Sequence, residues 1–306
     1  MKQLQELKLK KAPLQAIQSP LLEAAGIALH IQREDLVDFE LGGNKWRKMK
    51  YNLEAAAQQN HDTLLTFGGA YSNHIYATAA AGKRLDIRTI GIIRGEAHKP
   101  LNSTLQFATD CGMQLNYIDR FTYRNKTSEE YLNSLNKKYG RFYLLPEGGS
   151  NTLALKGCAE IVEDINQEFD FICGACGTGA TLAGIIYGLH RKQTAIGFSV
   201  LKGGGFLEKE IQHFLQQVNF EPSANWQLNT EYHFGGYAKT TPELWSFIEK
   251  FKKNFDVPLD SVYTGKMFYG LFDLIKKGFF PRGSRIIAIH SGGLQGNPEN
   301  HRLMTD

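Results

Sequence analysis

Four cysteines among 306 residues, at positions 111, 158, 173 and 176, are too few and too unevenly spaced to staple a small extracellular fold. No apolar run approaches the roughly 18 residues needed to span a bilayer. The opening MKQLQELKLKKAPLQ has charge but no apolar stretch of the signal-peptide kind. Neither sign of charge dominates: 35 basic against 31 acidic residues leave +4, with the cations scattered rather than striped. That excludes the electrostatic footprint of a nucleic-acid binder. Repeats and low-complexity tracts are absent as well. What remains is a chain of ordinary composition, expected in the cytoplasm without nucleic-acid or membrane partners. It is long enough for two domains and a large core.

Glycine is plentiful, with 31 residues and pairs at 42–43, 68–69, 148–149, 204–205, 235–236 and 292–293. Between the pairs, short apolar runs alternate with helical stretches. Strands are predicted at 27–32, 63–68, 88–94, 113–118, 141–146, 169–175, 195–201 and 285–291. Helices are predicted near 45–60, 73–84, 100–111, 127–139, 153–167, 179–191, 205–217, 242–254 and 266–277. Such alternation implies βαβ units and a mainly parallel α/β fold. Its strands are buried on both faces, which suits the unbroken apolar runs. The glycine pairs fall at element ends, and in open α/β sheets ligands bind at the carboxyl ends of strands.

Three stretches carry candidate chemistry. In GACGTGATLAGIIYGL (174–189) a buried strand runs through a glycine-rich turn into a helix. Gly177, Thr178, Gly179 and Thr181 supply backbone N–H groups and hydroxyls at a helix N-terminus, which suits a phosphate; the plainer reading is a tight turn. A dinucleotide site would need an acidic residue at the end of the next strand, and Lys202 stands there. Cys173 and Cys176 have no second Cys/His pair at zinc spacing, so they read as small packing residues and no metal is expected. In FGGAYSNHIYATAAAGKRL (67–85), Ser72 and Asn73 serve equally as helix caps or as donors to a substrate carboxylate. In GGNKWRKMKYNL (42–53), Lys45 follows a Gly-Gly-Asn turn; on its own it is a salt-bridge partner or a reactive amine. A phosphate cup, a carboxylate cup and a free lysine without a metal are together what a pyridoxal phosphate enzyme needs.

The ordered segments LGGNKWRKMKYNL, GGAYSNHIYATAAAGKRL, CGTGATLAG, FGGYA and VYTGKMFYGL resemble the 1-aminocyclopropane-1-carboxylate deaminase and D-cysteine desulfhydrase family, from about residue 12 to residue 298. The resemblance implies the tryptophan-synthase-β-like fold of pyridoxal phosphate enzymes. In that fold a smaller αβα domain, 57–150, is inserted into a larger one of 1–56 plus 151–306. It implies pyridoxal 5'-phosphate as cofactor, a small amino acid as substrate and a homodimer. Position by position, Lys45 resembles the Schiff-base lysine and Lys48 a residue near the phosphate. Gly177, Thr178, Gly179, Ala180 and Thr181 resemble the phosphate cup. Ser72, Asn73 and His74 resemble the substrate-carboxylate loop, with Asn73 also near the cofactor's phenolic oxygen. Tyr237 and Tyr263 resemble two active-site tyrosines, and Thr264 takes the position facing the pyridine nitrogen. On this reading Gly42 and Gly43 let the backbone approach the cofactor, and Arg47 and Lys50 are solvated cations.

Within the family, the deaminases resemble VYEGK, where this chain has Thr264. A neutral hydroxyl leaves the nitrogen unprotonated, a weaker electron sink that still expels a good β leaving group. His74, where the deaminases have glutamine, points the same way. The resemblance therefore implies desulfhydrase-like β-elimination giving a 2-oxo acid and ammonia, with cyclopropane ring opening as the alternative. A non-catalytic cofactor- or amino-acid-binding protein is the alternative of another class. Tyr71 replaces a usual glutamine and Tyr76 a usual arginine, and Tyr71 is bulky enough to reshape the substrate pocket.

Overall fold

The computed structural model describes residues 7 and 9–296. Residues 1–6 and 8 of the opening segment, and residues 297–298 at the end of the family resemblance, lie outside the described residues. The strands are β1 (Leu14–Ile17), β2 (Ala28–Gln32), β3 (Thr63–Gly68), β4 (Arg88–Arg94), β5 (Gln114–Ile118), β6 (Tyr143–Leu145), β7 (Phe171–Cys176), β8 (Thr194–Ser199), β9 (Asn225–Asn229) and β10 (Arg285–Ile289). The α-helices are α1 (Pro20–Ala25), α2 (Asn44–Gln58), α3 (Asn73–Leu85), α4 (Ser103–Asp110), α5 (Arg120–Arg124), α6 (Glu129–Tyr139), α7 (Thr152–Glu163), α8 (Ala180–Gly188), α9 (Leu207–Gln217), α10 (Pro242–Phe255) and α11 (Thr264–Lys276). None is long and apolar enough to cross a membrane.

Two sheets form. One has six strands in the order β1-β2-β10-β7-β8-β9, and the other has four in the order β5-β4-β3-β6. All pairings are parallel except that of β1 with β2. Alternation along β10 shows how the larger sheet is covered on both faces. Ile286 and Ala288 enter a core with Phe251, Met267, Phe268 and Leu271. Ile287 and Ile289 enter another with Leu155, Ile161, Ile185 and Ile186. In the smaller sheet every residue of β3 is buried.

The predicted strands at 63–68 and 88–94 match β3 and β4 end to end. Strands β1 and β9 and the short helices α1 and α5 were not predicted. Both strands are sheet edges, and their sequences LQAI and NWQLN lack the continuous apolar run of a central strand.

The Gly-Gly-Asn turn departs from expectation. Gly43 precedes α2 at φ +75°, and a side chain there would begin 2.2 Å from the Ser291 carbonyl oxygen. At Gly42 it would begin 2.0 Å from the Asp38 carbonyl oxygen. Gly43 therefore lets the start of α2 meet the loop after β10, and Gly42 closes a tight turn on Asp38, whose carbonyl accepts its N–H at 3.0 Å. Asn44 N–H donates to Ser291 O at 3.2 Å and Gly43 N–H to Glu34 O at 2.8 Å.

Arg47 and Lys50 are not solvated cations. Arg47 is buried and donates to both carboxylate oxygens of Glu34 at 2.9 Å and to Asp164 at 2.6 Å. Lys50 pairs with Glu160 at 2.6 Å. Helix α7 packs against α2 and brings Glu160 and Asp164 to that face, which local sequence spacing does not reveal.

Candidate active site

Strands β3, β4, β7 and β10 run parallel within their sheets, and the loops at their carboxyl ends line one cavity of about 600 Å³. This is where α/β sheets place ligands. Lys45, Lys48, Tyr71, Ser72, Asn73, His74, Gly177, Thr178, Gly179, Thr181, Tyr237 and Tyr263, all named from sequence, line it. Ala180, the first residue of α8, and Thr264 are buried and do not.

Lys48 is the most deeply buried of the cations that line the cavity. Its ammonium donates to Ser150 Oγ at 2.9 Å and to Thr178 Oγ1 at 3.4 Å, and those hydroxyls lie 2.8 Å apart. Burial, and then the neighbouring Lys45 charge, bring its pKa down to about 7. No carboxylate pairs with it among the described residues. Helix α8 begins beside it, and its N-cap, Gly179 at φ +83°, offers no side-chain cap bond. A buried cation, hydroxyls and a helix N-terminus together form a site for a multiply charged oxyanion. Ser150 escaped the sequence reading; its only signal was the preceding Gly148–Gly149 pair.

Lys45, one helical turn back, donates to Asn44 Oδ1 at 2.9 Å, and Asn44 Nδ2 donates to Thr181 Oγ1 at 2.9 Å. The lysine is thereby tied to the Gly177–Thr181 turn. Burial brings its pKa down to about 8, so a useful fraction is neutral and nucleophilic near pH 7.

Ser72 caps α3, accepting from His74 N–H at 3.2 Å and Ile75 N–H at 3.3 Å. Its cap role is real, and its hydroxyl proton remains available. The Asn73 amide is bonded by Gln295 and lies beside Gly293. His74 is buried, its Nε2 2.8 Å from Thr66 Oγ1. Burial, and then Lys45 and Lys48, hold its pKa well below the usual value, so the ring stays neutral. Tyr71 is exposed at the cavity mouth, whereas Tyr76 is buried and stacked on Phe107 with centroids 3.9 Å apart.

Tyr263 closes over Gly177, where a side chain would begin 3.0 Å from the phenol ring. Its hydroxyl lies 3.4 Å from that of Tyr237. Burial, and then Tyr237, hold its pKa well above the usual value, so it is a proton donor. Thr264 opens α11 with its hydroxyl committed: it donates to Asp260 Oδ2 at 2.6 Å and accepts from Asp260 N–H at 2.9 Å. Asp260 also accepts from the Val262 and Tyr263 N–H groups. The sequence reading missed this carboxylate, which lacks any motif of its own.

The profile of the family described as pyridoxal-phosphate dependent enzyme matches residues 8–292. A bifunctional D-cysteine desulfhydrase/1-aminocyclopropane-1-carboxylate deaminase, mitochondrial, of Arabidopsis thaliana is 33% identical over 89% of this chain and 73% of its own. A Pyrococcus furiosus protein, provisionally named a 1-aminocyclopropane-1-carboxylate deaminase, is 33% identical over 94% of this chain and 90% of its own. The crystal structure of a 1-aminocyclopropane-1-carboxylate deaminase homologue superposes with a TM-score of 0.82 at 30% identity, covering 97% of this chain and 94% of that one.

Proposed function

The chain belongs to the family of pyridoxal-phosphate dependent enzymes, and from that premise we propose that it is a lyase of the desulfhydrase type. On this reading it removes a β substituent from a small amino acid and yields a 2-oxo acid and ammonia. The observation that carries it is the oxyanion site at Lys48, Ser150 and Thr178, set one helical turn from Lys45.

That donor set fits the cofactor. Lys48 has no carboxylate partner among the described residues, so a phosphate would supply its anion, and Ser150, Thr178, Thr181 and the start of α8 would complete the hold. When bound, pyridoxal phosphate supplies an aldehyde for the amine and an electron-withdrawing ring that acidifies the Cα proton. The chain does the rest. Lys45, partly neutral at its lowered pKa, would hold the cofactor's aldehyde carbon and would be the base placed to take the Cα proton. Ser72 and Asn73 hold the substrate carboxylate, and neutral His74 supports their loop from Thr66. Tyr263, kept protonated, and Tyr237 beside it donate to the departing group. The smaller sheet's segment, 57–150, acts as the inserted domain whose movement toward the remainder excludes water. The enzyme works as a cytoplasmic homodimer.

Cyclopropane ring opening is the alternative. The Thr264 hydroxyl gives its proton to Asp260 and accepts from the Asp260 N–H, so it would have no proton to offer a bound ring nitrogen. The test is a panel of D- and L-cysteine, 3-chloroalanine and 1-aminocyclopropane-1-carboxylate, read by ammonia release. Borohydride reduction followed by peptide mapping accompanies it. Turnover of the β-substituted compounds with the cofactor fixed on Lys45 is expected. Turnover of the cyclopropane alone establishes ring opening instead. Cofactor fixed on another lysine removes the assignment of Lys45.

A further inference from the structure

The cavity wall built by the smaller sheet carries a charge that this reading leaves unused. Arg94 ends β4 at its carboxyl end and lines the cavity. Its guanidinium makes no hydrogen bond or ion pair with any described residue. Its flank rests on the Tyr123 ring, with Cζ 5.5 Å from the centroid.

The other charges lining the cavity are accounted for. Lys45 and Lys48 belong to the proposed cofactor site. Glu147 accepts from the Tyr123 hydroxyl at 2.8 Å and pairs with Lys126 at 3.1 Å, so it does not neutralise Arg94. The space in front of the guanidinium is kept open by Gly69, where a side chain would begin 3.6 Å from Arg94 Nη2. Gly69 starts the turn that ends at Ser72, whose N–H donates to Gly69 O at 3.1 Å. Arg94 thus stands one turn from the hydroxyl assigned to the substrate carboxylate. The exposed rings of Tyr71, Phe206 and Tyr237 also line the cavity and lower its polarity.

We propose that Arg94 receives an anionic group at the far end of the substrate side chain, so that the substrate is an amino acid with a second acidic group. This deepens the function proposed above and rests on its assignment of the substrate carboxylate to Ser72 and Asn73. A guanidinium fork matches a carboxylate or a phosphate ester with two parallel bonds. Arg94 is solvent-exposed, so with a neutral side chain water satisfies its donors, and the preference for an anion comes from the two charge-assisted bonds gained.

The holoenzyme is titrated calorimetrically with α-methyl amino acids of both configurations, which have no Cα proton to lose and so report binding without turnover. The probes are α-methylaspartate and α-methyl-O-phosphoserine, against neutral α-methylserine and 2-aminoisobutyrate. At least one anionic compound is expected to bind about tenfold or more tightly than α-methylserine. The tighter of the two identifies the acid as carboxylate or phosphate ester. Arg94→Gln should bring the ratio toward one, and Arg94→Lys should keep part of it. Equal binding of anionic and neutral compounds, or a preference that survives in Arg94→Gln, overturns the role of Arg94 alone. Binding of none of the four overturns the amino-acid site and this inference with it.

Discussion

The Thr264 hydroxyl lies 2.6 Å from Asp260 Oδ2, and the Asp260 backbone N–H lies 2.9 Å from the same hydroxyl oxygen. Both residues are buried, so the pair behaves as one unit that starts α11 and fixes Tyr263 just before it. Thr264→Val should destabilise the protein by about 1–3 kcal/mol, because it removes one charge-assisted bond and strands an N–H. Asp260→Asn should cost a similar amount through the lost cap. The double variant should cost less than the sum, since both changes break the same bond. Urea denaturation of the four proteins tests this; strict additivity would falsify the coupling.

Two lysines with lowered pKa values give the cofactor-free protein a definite pH dependence. Lys48 titrates near 7 in the fold and near 10.5 when unfolded. Between those values the unfolded chain binds the extra proton, so stability should rise with pH across that window. Lys45, near 8 in the fold, adds to the same rise. Bound phosphate stabilises the Lys48 ammonium and should flatten the rise. Denaturation midpoints from pH 7 to 10, for protein with and without cofactor and for Lys48→Met, provide the measurement. A cofactor-free protein whose stability falls over this range, with Lys48→Met falling in parallel, contradicts the burial of an unpaired Lys48.

Ser150 and Thr178 are 2.8 Å apart and share Lys48. Each alanine substitution should weaken cofactor retention by about 1 kcal/mol, and more where the bond to the phosphate is charge-assisted. Thr181→Ala should add a second effect by releasing Asn44 and, through it, Lys45. Equilibrium dialysis against free pyridoxal phosphate gives the affinities. Unaltered affinity in Ser150→Ala/Thr178→Ala removes the phosphate from this turn.

Parallel sheets made much of this chain legible. Strand β3 is buried along its whole length, so its apolar run carries no competing signal, and its predicted bounds are the observed ones. The edge strands β1 and β9 are partly exposed, and their mixed sequences read as loops. In the site, Lys45, Ser72 and Gly177 announced themselves through turns that local sequence encodes. Ser150, Asp260 and Arg94 did not, because what marks them out is their placement beside other segments, which local sequence does not encode. Ser150 meets Lys48 across 102 positions of chain. Gly43 was legible as a tight turn but not in its cause, the Ser291 carbonyl. Arg47 looked like surface charge because Glu160 and Asp164 reach it from 113 and 117 residues away.

Arg47 leads to the last prediction, which concerns how Lys45 is aimed. Glu34 accepts two bonds from the Arg47 guanidinium through its side chain and one from Gly43 N–H through its backbone. It therefore holds α2 two residues on either side of Lys45. Glu34 is fully buried, so removing its partner leaves an uncompensated charge. Breaking such a pair costs about 3–5 kcal/mol, whereas replacing both members with neutral groups of similar size costs much less. Arg47→Met should accordingly lower the denaturation midpoint sharply, and Glu34→Gln in the same chain should restore part of the loss. Cofactor binding should follow stability only in part, because the double variant still lacks the bidentate bond that orients the start of α2. The rescued protein should therefore refold well yet fix less cofactor on Lys45 under borohydride. A double variant less stable than Arg47→Met, or one with undiminished labelling, would show that Glu34 and Arg47 do not position the lysine.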